Sequence, residues 1–334
     1  MAVTLKDIAE RAGVSTVTVS KVLRGGKHHI SAATQESILR IAGELGYVPN
    51  HAAQMLKTRR SHQIGYLLPD IANPFFADIA RGLDDEAKKH GYNVLMYNTD
   101  NDPSGEQEAY LGLSSRMVDG IVFVHSLVND EINIPSIRVP TVFVDRTIRS
   151  MDVWKSGNAP IGQIFVDACK AFFDSTELLI GRGCVRPAFI SAQYRQHDLR
   201  MEGYLNALET HGITADERLI YCGKYDVDTG INGIRHILSM APDVDGVVCG
   251  DDLIAIGVLE ELDRNGRKVP GDVRVIGFDD IYFAKYCRPK LTTVAQPSYM
   301  MGAEAVAMLI SHIENGSPLY RKQLDCALKI RETV

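Results

Sequence analysis

Residues 5–23 read L-K-D-I-A-E-R-A-G-V-S-T-V-T-V-S-K-V-L. The stretch predicts two short helices joined at Gly13. Leu5, Ile8, Ala9 and Ala12 recur at i, i+3, i+4 and i+7, which puts them on one helical face. Thr4 stands at the N-cap position with Asp7 three residues on, both suited to a positive helix N-terminus. Gly13 takes a left-handed backbone at little cost and ends the helix. Ser15 caps a second helix in which Val19, Val22 and Leu23 face inward. Thr16, Val17, Ser20 and Lys21 are left outside. A Thr-Val pair is unusual on a solvated helix end, but its methyl groups suit thymine methyls in a major groove. The pattern is that of a helix-turn-helix. The alternative is a three-helix packing module with an ordinary surface.

The charge distribution agrees with a DNA-binding head. Over the 334 residues the net charge is −6, yet residues 1–60 hold 9 Lys+Arg against 4 Asp+Glu. The remainder holds 27 against 38. A basic head on an acidic body fits a small polyanion-binding module fused to a larger domain of another kind. Apolar residues make up 45% and charged residues 23%, ordinary for a globular protein. The sequence predicts no membrane span and no secretory signal, hence a cytoplasmic, nucleoid-associated protein. Six cysteines at 169, 184, 222, 249, 287 and 326 form no C-x-x-C pair, so free thiols are expected and neither a disulfide framework nor a metal site.

A third helix is expected over 31–45, capped by Ser31, with Ile38, Leu39, Ala42 and Leu45 as its stripe. Tyr47-Val48-Pro49-Asn50 reads as an extended linker. After Lys57, Arg59 and Arg60 the grammar changes. Buried strands at 64–68, 93–98, 120–125 and 141–145 alternate with helices near 75–90 and 104–117. A second series runs through a helix near 161–180, strand 187–191, helix 198–211, strand 219–221, helix 228–240, strand 246–249, helix 252–265 and strand 273–278. Such alternation means parallel α/β sheets, enough for two units side by side. Open parallel sheets bind ligands beyond the carboxyl ends of their strands.

Several motifs then occur in order: L-G-Y-V-P-N-x-x-A-x-x-L at 45–56, P-D-I-A-N-P-F-F at 69–76, V-D-G-I-V at 118–122, F-V-D-R at 143–146, R-M-E-G-Y at 200–204, D-D-L-I-A-I-G at 251–257, V-I-G-F-D-D at 275–280 and P-K-L-T-T-V-A-Q-P at 289–297. With the opening stretch, they make nearly the whole chain resemble the lactose/galactose repressor (LacI/GalR) family of bacterial transcription regulators. The resemblance implies an all-α helix-turn-helix head plus an α/β two-lobed, periplasmic-binding-protein-like (type I) body with parallel sheets. The implied domains are a head at 1–49, a hinge helix and linker at 50–60, and an effector-binding and dimerisation domain at 61–334. Its N-lobe is expected at about 61–160 plus 293–320, and its C-lobe at about 161–292 plus 321–334.

The same resemblance implies the functional residues. Thr16, Val17 and Lys21 match positions that read bases. Lys21 stands where the family commonly has Arg, and it lacks the bidentate fork. Thr4, Ser15, Ser20, His29, Ser31 and Thr34 are expected on phosphates, which set orientation and not sequence. The turn 24–29 is about one residue longer than the family's. In the hinge, Asn50, Ala53 and Leu56 are expected on the minor groove, with Leu56 as the wedge between base pairs; the alternative is a plain linker. The expected effector set is Asn73, Phe75, Phe76, Asp145, Arg146, Arg200, Tyr225, Asp251, Asp279 and Gln296. Carboxylates accepting hydroxyl donors, with Arg, Asn and aromatic faces, suit a sugar or polyol. Arg146 with Arg200 equally suits a sugar acid. For each residue a plainer role stands beside this one: a cap for Asp145 or Asp279, core for Phe75 or Phe76, a surface ion pair for Arg200.

The chain departs from the family at Asp167-Ala168, Ala171 and Gly183-Cys184, and residues 149–160 follow none of its patterns. The expected function is a ligand-responsive, sequence-specific DNA-binding regulator, a repressor of carbohydrate genes, acting as a homodimer on double-stranded operator DNA without cofactor or membrane partner. The alternative is a sugar-binding protein or carbohydrate-active enzyme with no DNA role. Against an enzyme stands the absence of a P-loop, a G-x-S-x-G elbow and an H-E-x-x-H set; no catalytic residue is expected. Asp145 with Asp279 is the one candidate pair for glycoside hydrolysis.

Overall fold

The structure, a computed structural model, describes residues 3–23, 30–47, 60–126, 137–146, 160–192 and 198–334. The chain divides into two compact units, Met1–Ser61 and His62–Val334. In the first, α1 (Leu5–Ala12), α2 (Thr16–Leu23) and α3 (Ala32–Glu44) close over Ile8, Ala9, Val19, Val22, Ile38, Ile41 and Ala42. Thr4 and Asp7 form a reciprocal capping box, which satisfies the Thr4 and Asp7 amides. Gly13, at φ 65°, ends α1 in a left-handed cap. The stripe expected on α3 is corrected at one position. Leu39 is 55% exposed, and Ile41 takes the inward place, because 38, 41, 42 and 45 share one face at 3.6 residues per turn.

The second unit is built on two six-stranded sheets. The first contains β1 (Gln63–Leu68), β2 (Asn93–Asn98), β3 (Gly120–Phe123), β4 (Thr141–Val144) and β5 (Ile161–Val166), with β11 (Arg321–Leu324) on its far edge. Their order is β11-β5-β4-β3-β1-β2, every pair parallel. The second contains β6 (Pro187–Ala192), β7 (Ile220–Gly223), β8 (Gly246–Cys249), β9 (Arg274–Asp279), β10 (Thr292–Ala295) and β12 (Ala327–Lys329). Its order is β12-β10-β9-β8-β6-β7, with β12 antiparallel. Strands such as β3, β4 and β8 are buried throughout, as covered parallel strands must be.

Helices α4 (Pro74–Lys89), α5 (Pro103–Ser115) and α10 (Ser298–Asn315) accompany the first sheet. Helices α6 (Ala168–Gly181), α7 (Leu199–Thr210), α8 (Val227–Met240) and α9 (Asp252–Arg264) accompany the second. Helix α4 meets α10 backbone to backbone. A Cβ at Gly82 would lie 1.9 Å from the Tyr299 carbonyl oxygen, and one at Gly302 2.1 Å from that of Ile79.

The structure corrects the expected lobe boundaries. Residues 161–166 are not the start of a helix but strand β5, hydrogen-bonded to β4; Asp167 caps the helix that follows by accepting from the Lys170 amide. Residues 161–166 and 321–324 therefore belong to the first sheet, and 292–295 to the second. The reason is that the chain crosses between the lobes three times, between β5 and α6, between β10 and α10, and between β11 and β12.

Candidate functional sites

In the head, α2 presents Val17, 61% exposed, beside exposed Thr16 and Lys21. Ser20 is half-buried on the same helix. Three of the polar residues expected on phosphates, Thr4, Ser15 and Ser31, cap helix starts. Thr4 Oγ1 accepts from the Asp7 amide at 3.4 Å, Ser15 Oγ from that of Thr18 at 3.1 Å, and Ser31 Oγ from that of Thr34 at 3.2 Å. These caps orient helix N-termini, whose remaining amides suit an anionic backbone. His29, Asn50, Ala53 and Leu56, with the whole of 48–59, lie outside the described residues.

In the second unit, the carboxyl ends of both sheets converge. Asp145 follows β4, Asp279 ends β9, and Gln296 follows β10. Gln296 Nε2 donates to Asp279 Oδ1 at 2.8 Å and to Asp145 Oδ1 at 3.3 Å, so one amide spans both lobes. Asn73 caps α4 by accepting from the Phe75 amide at 3.0 Å, and its Nδ2 reaches Asp251 Oδ2 across the cleft at 3.4 Å. Asp251 in turn caps α9, accepting from the Ile254 amide at 2.8 Å. Non-glycine residues with left-handed backbone cluster at this edge: Asp145 at φ 70°, Asp279 at 111° and Asp280 at 56°. Strain of this kind persists only where the surroundings over-determine it.

Arg200 is buried, its guanidinium carbon 4.9 Å from the Tyr225 ring centre, 5.1 Å from Phe278 and 5.9 Å from Phe172. Burial pushes the Asp251 carboxyl up to about 6, with the Arg200 charge and the Ile254 amide opposing. Asp279 is raised well above its ordinary value by burial and by the neighbouring Asp251 and Asp252. Arg146 donates to Asn101 Oδ1 at 3.2 Å and to the His125 carbonyl, and its guanidinium lies 5.9 Å from the Phe76 ring centre. Phe75 and Phe76 are core residues, packed edge to face at 5.2 Å. Phe76 underlies Arg146, and the Phe75 ring packs against Phe76.

Sequence reasoning missed three groups. Ser191, at the end of β6, has a buried hydroxyl without a hydrogen-bond partner among the described residues, and a Cβ at residue 250 would stand 2.2 Å from it. Asp252, fully buried, accepts from Thr293 Oγ1 at 2.5 Å and from the Ile281 amide at 2.8 Å. Glu106 accepts from Ser126 Oγ at 3.1 Å, and burial lifts its carboxyl to about 7. The doubled acid at 251–252 was a usable signal for Asp252. A lone serine at a strand end carries none. Among the described residues no cluster of His, Cys, Asp and Glu is arranged for a metal, and no helix is long and apolar enough to cross a membrane.

Residues 4–50 match the family model for bacterial regulatory proteins of the lacI family, and residues 176–334 that for a periplasmic-binding-protein-like domain. The HTH-type transcriptional regulator RegA of Clostridium saccharobutylicum is 38% identical over 97% of this chain and 95% of its own. The HTH-type transcriptional repressor CytR of Escherichia coli K12 is 31% identical over 99% of this chain and 96% of its own. Among solved structures, the transcriptional regulator CelR in complex with cellobiose superposes with a TM-score of 0.72 at 29% identity, covering 99% of this chain and all of that one. The chain belongs to the lacI family of bacterial regulatory proteins, and is a helix-turn-helix transcriptional regulator, not an enzyme.

Proposed function

We propose that the chain is a repressor whose operator affinity is switched by a small polyhydroxylated effector held between the lobes. The observation that carries this reading is the interlobe pair of bridges, Gln296 to Asp145 and Asp279, and Asn73 to Asp251. A ligand inserted among these groups must change the same bonds that set the lobe arrangement, and so has different affinity for different arrangements. The CelR–cellobiose complex and the repressor CytR support a sugar-like effector and the repressor role.

The head would read the operator through Thr16, Val17 and Lys21, with Thr4, Ser15, Ser20, Ser31 and Thr34 on phosphates, and with the hinge residues Asn50, Ala53 and Leu56 on the minor groove. A two-fold operator calls for a homodimer. The exposed Tyr282, Phe283 and Tyr286 supply an aromatic surface of the kind that interfaces use. The working division is head 1–49, hinge 50–60 and effector domain from 61.

Arg200→Ala and Asp279→Ala should abolish the effect of an inducing sugar on operator gel shifts while leaving operator binding in place. Normal switching in both variants would overturn the assignment of the cleft.

A further inference from the structure

Asp279 carries its carboxylate on a strained backbone. It and Asp280 are consecutive non-glycine residues at positive φ, 111° and 56°. Such a pair keeps its shape only where neighbouring groups hold it. Asp252 accepts from the Ile281 amide on one side, and Gln296 donates to Asp279 on the other. The Asp280 side chain has a holder of its own.

That holder is Arg331, which follows β12. Its Nη2 donates to Asp280 Oδ1 at 2.6 Å and its Nη1 to the Leu291 carbonyl at 2.7 Å. Asp280 and Leu291 are the two ends of the loop between β9 and β10, so one guanidinium closes that loop at both ends. The planar fork suits the task, since it aims two donors in fixed directions.

The backbone behind the fork is fixed elsewhere. The Arg331 amide donates to Thr292 Oγ1 at 2.8 Å. The Glu332 amide donates to the Lys290 carbonyl at 2.9 Å, and the Lys290 amide to Glu332 Oε2 at 2.9 Å. Thr333 Oγ1 accepts from the Thr292 amide at 2.8 Å and donates to the Val275 carbonyl at 2.6 Å. Residues 331–333 are thus stitched to the amino ends of β9 and β10, whose carboxyl ends lead into the cleft.

We propose that Arg331 is a positioning residue for the effector site, holding the turn at 279–281 so that the Asp279 carboxylate is presented to the ligand. This rests on the cleft reading given above. The Arg331 and Asp280 side chains keep 19% and 24% of their surface exposed, so an Asp280 left alone can turn to water. Loss of the pair should therefore loosen the turn and not the fold. A turn that holds the presenting geometry about a tenth of the time weakens binding about tenfold.

The test compares the full chain with Arg331→Met, which keeps an apolar stem and drops the fork. Amide hydrogen exchange reads the turn without a ligand: the Ile281 and Leu291 amides should exchange about tenfold faster, and those of β8 at the unaltered rate. Calorimetric titration with cellobiose, D-glucose, D-galactose, D-ribose and D-glucuronate reads the site. The sugar that binds the unaltered chain most tightly should bind Arg331→Met about tenfold more weakly, with operator gel shifts of the unliganded protein unchanged. Asp280→Asn should lose a similar factor, and the double variant no more than either single one, because both act through one contact. Unchanged exchange or unchanged affinity in Arg331→Met, or additive losses in the double variant, overturns the proposal and leaves the cleft reading standing. Operator binding that weakens in step with sugar binding makes Arg331 a prop of the whole chain and overturns the proposal as well. Failure of every sugar to bind the unaltered chain overturns the cleft reading, and the proposal with it.

Discussion

Asp252 is the buried acid whose removal should be felt most sharply. Its two oxygens take the Ile281 amide and the Thr293 hydroxyl, and none of the three groups has water to turn to. Asp252→Ala leaves two buried donors unpaired at about 1–3 kcal/mol each, so the expected loss is about 2–6 kcal/mol. That is a large share of the roughly 5–15 kcal/mol by which domains are stable. Asp252→Asn keeps an acceptor for the Ile281 amide and offers its NH2 to Thr293, and should cost within about 1 kcal/mol.

The pH dependence separates the two effects. Burial raises the Asp252 carboxyl well above its ordinary 3.8, so the folded chain holds a proton that the unfolded chain releases. Stability from this group is therefore full below 3.8 and declines as pH rises toward the folded-state value. Denaturant unfolding of the full chain, followed by circular dichroism from about pH 5 to about pH 8, should show stability falling with pH, and less steeply in Asp252→Asn. An Asn variant as unstable as the Ala variant, or one with an unchanged pH slope, would refute a protonated Asp252 as the clasp between α9 and the turn at 279–281.

Three further substitutions have outcomes that can be measured. Gly302→Ala drives a Cβ to 2.1 Å from a backbone oxygen of α4 and should cost about 1–3 kcal/mol or more, whereas Gly43→Ala, with open space around it in α3, should stabilise the head by about 0.5–1 kcal/mol; thermal unfolding reads both. Lys21→Ala should weaken binding about 10–100-fold at operators with guanine at the contacted position and relax specificity there; equal weakening at every sequence, with a shallower salt slope, would make Lys21 a phosphate contact instead.

The head and the strand–helix alternation were legible because each rests on local periodicity. Ile8, Ala9, Val19 and Val22 had to face one way for two short helices to bury anything. Strand β5 was not legible. I-G-Q-I-F-V runs into the apolar pattern of the helix after it, and only pairing with β4 distinguishes the two. The lobe exchange at β10 and β11 is likewise a matter of distant partners, β9 and β5, which local pattern does not encode. Most of the residues that the structure brings together between the lobes stand in motifs directly after strands. Ser191 and Asp252 were not legible, since their roles follow from what packs against them, Gly250 and Thr293.

The far-edge strand of the first sheet has a consequence for synthesis. β11 pairs with β5, and Arg321 donates to Gln163 across 158 residues of chain. A ribosome must therefore finish the second sheet's core strands before the first sheet receives its last. No nascent chain ending before β11 holds a complete first sheet, so early-terminated products carry a finished head on a body whose β5 edge is left unpaired, open to aggregation.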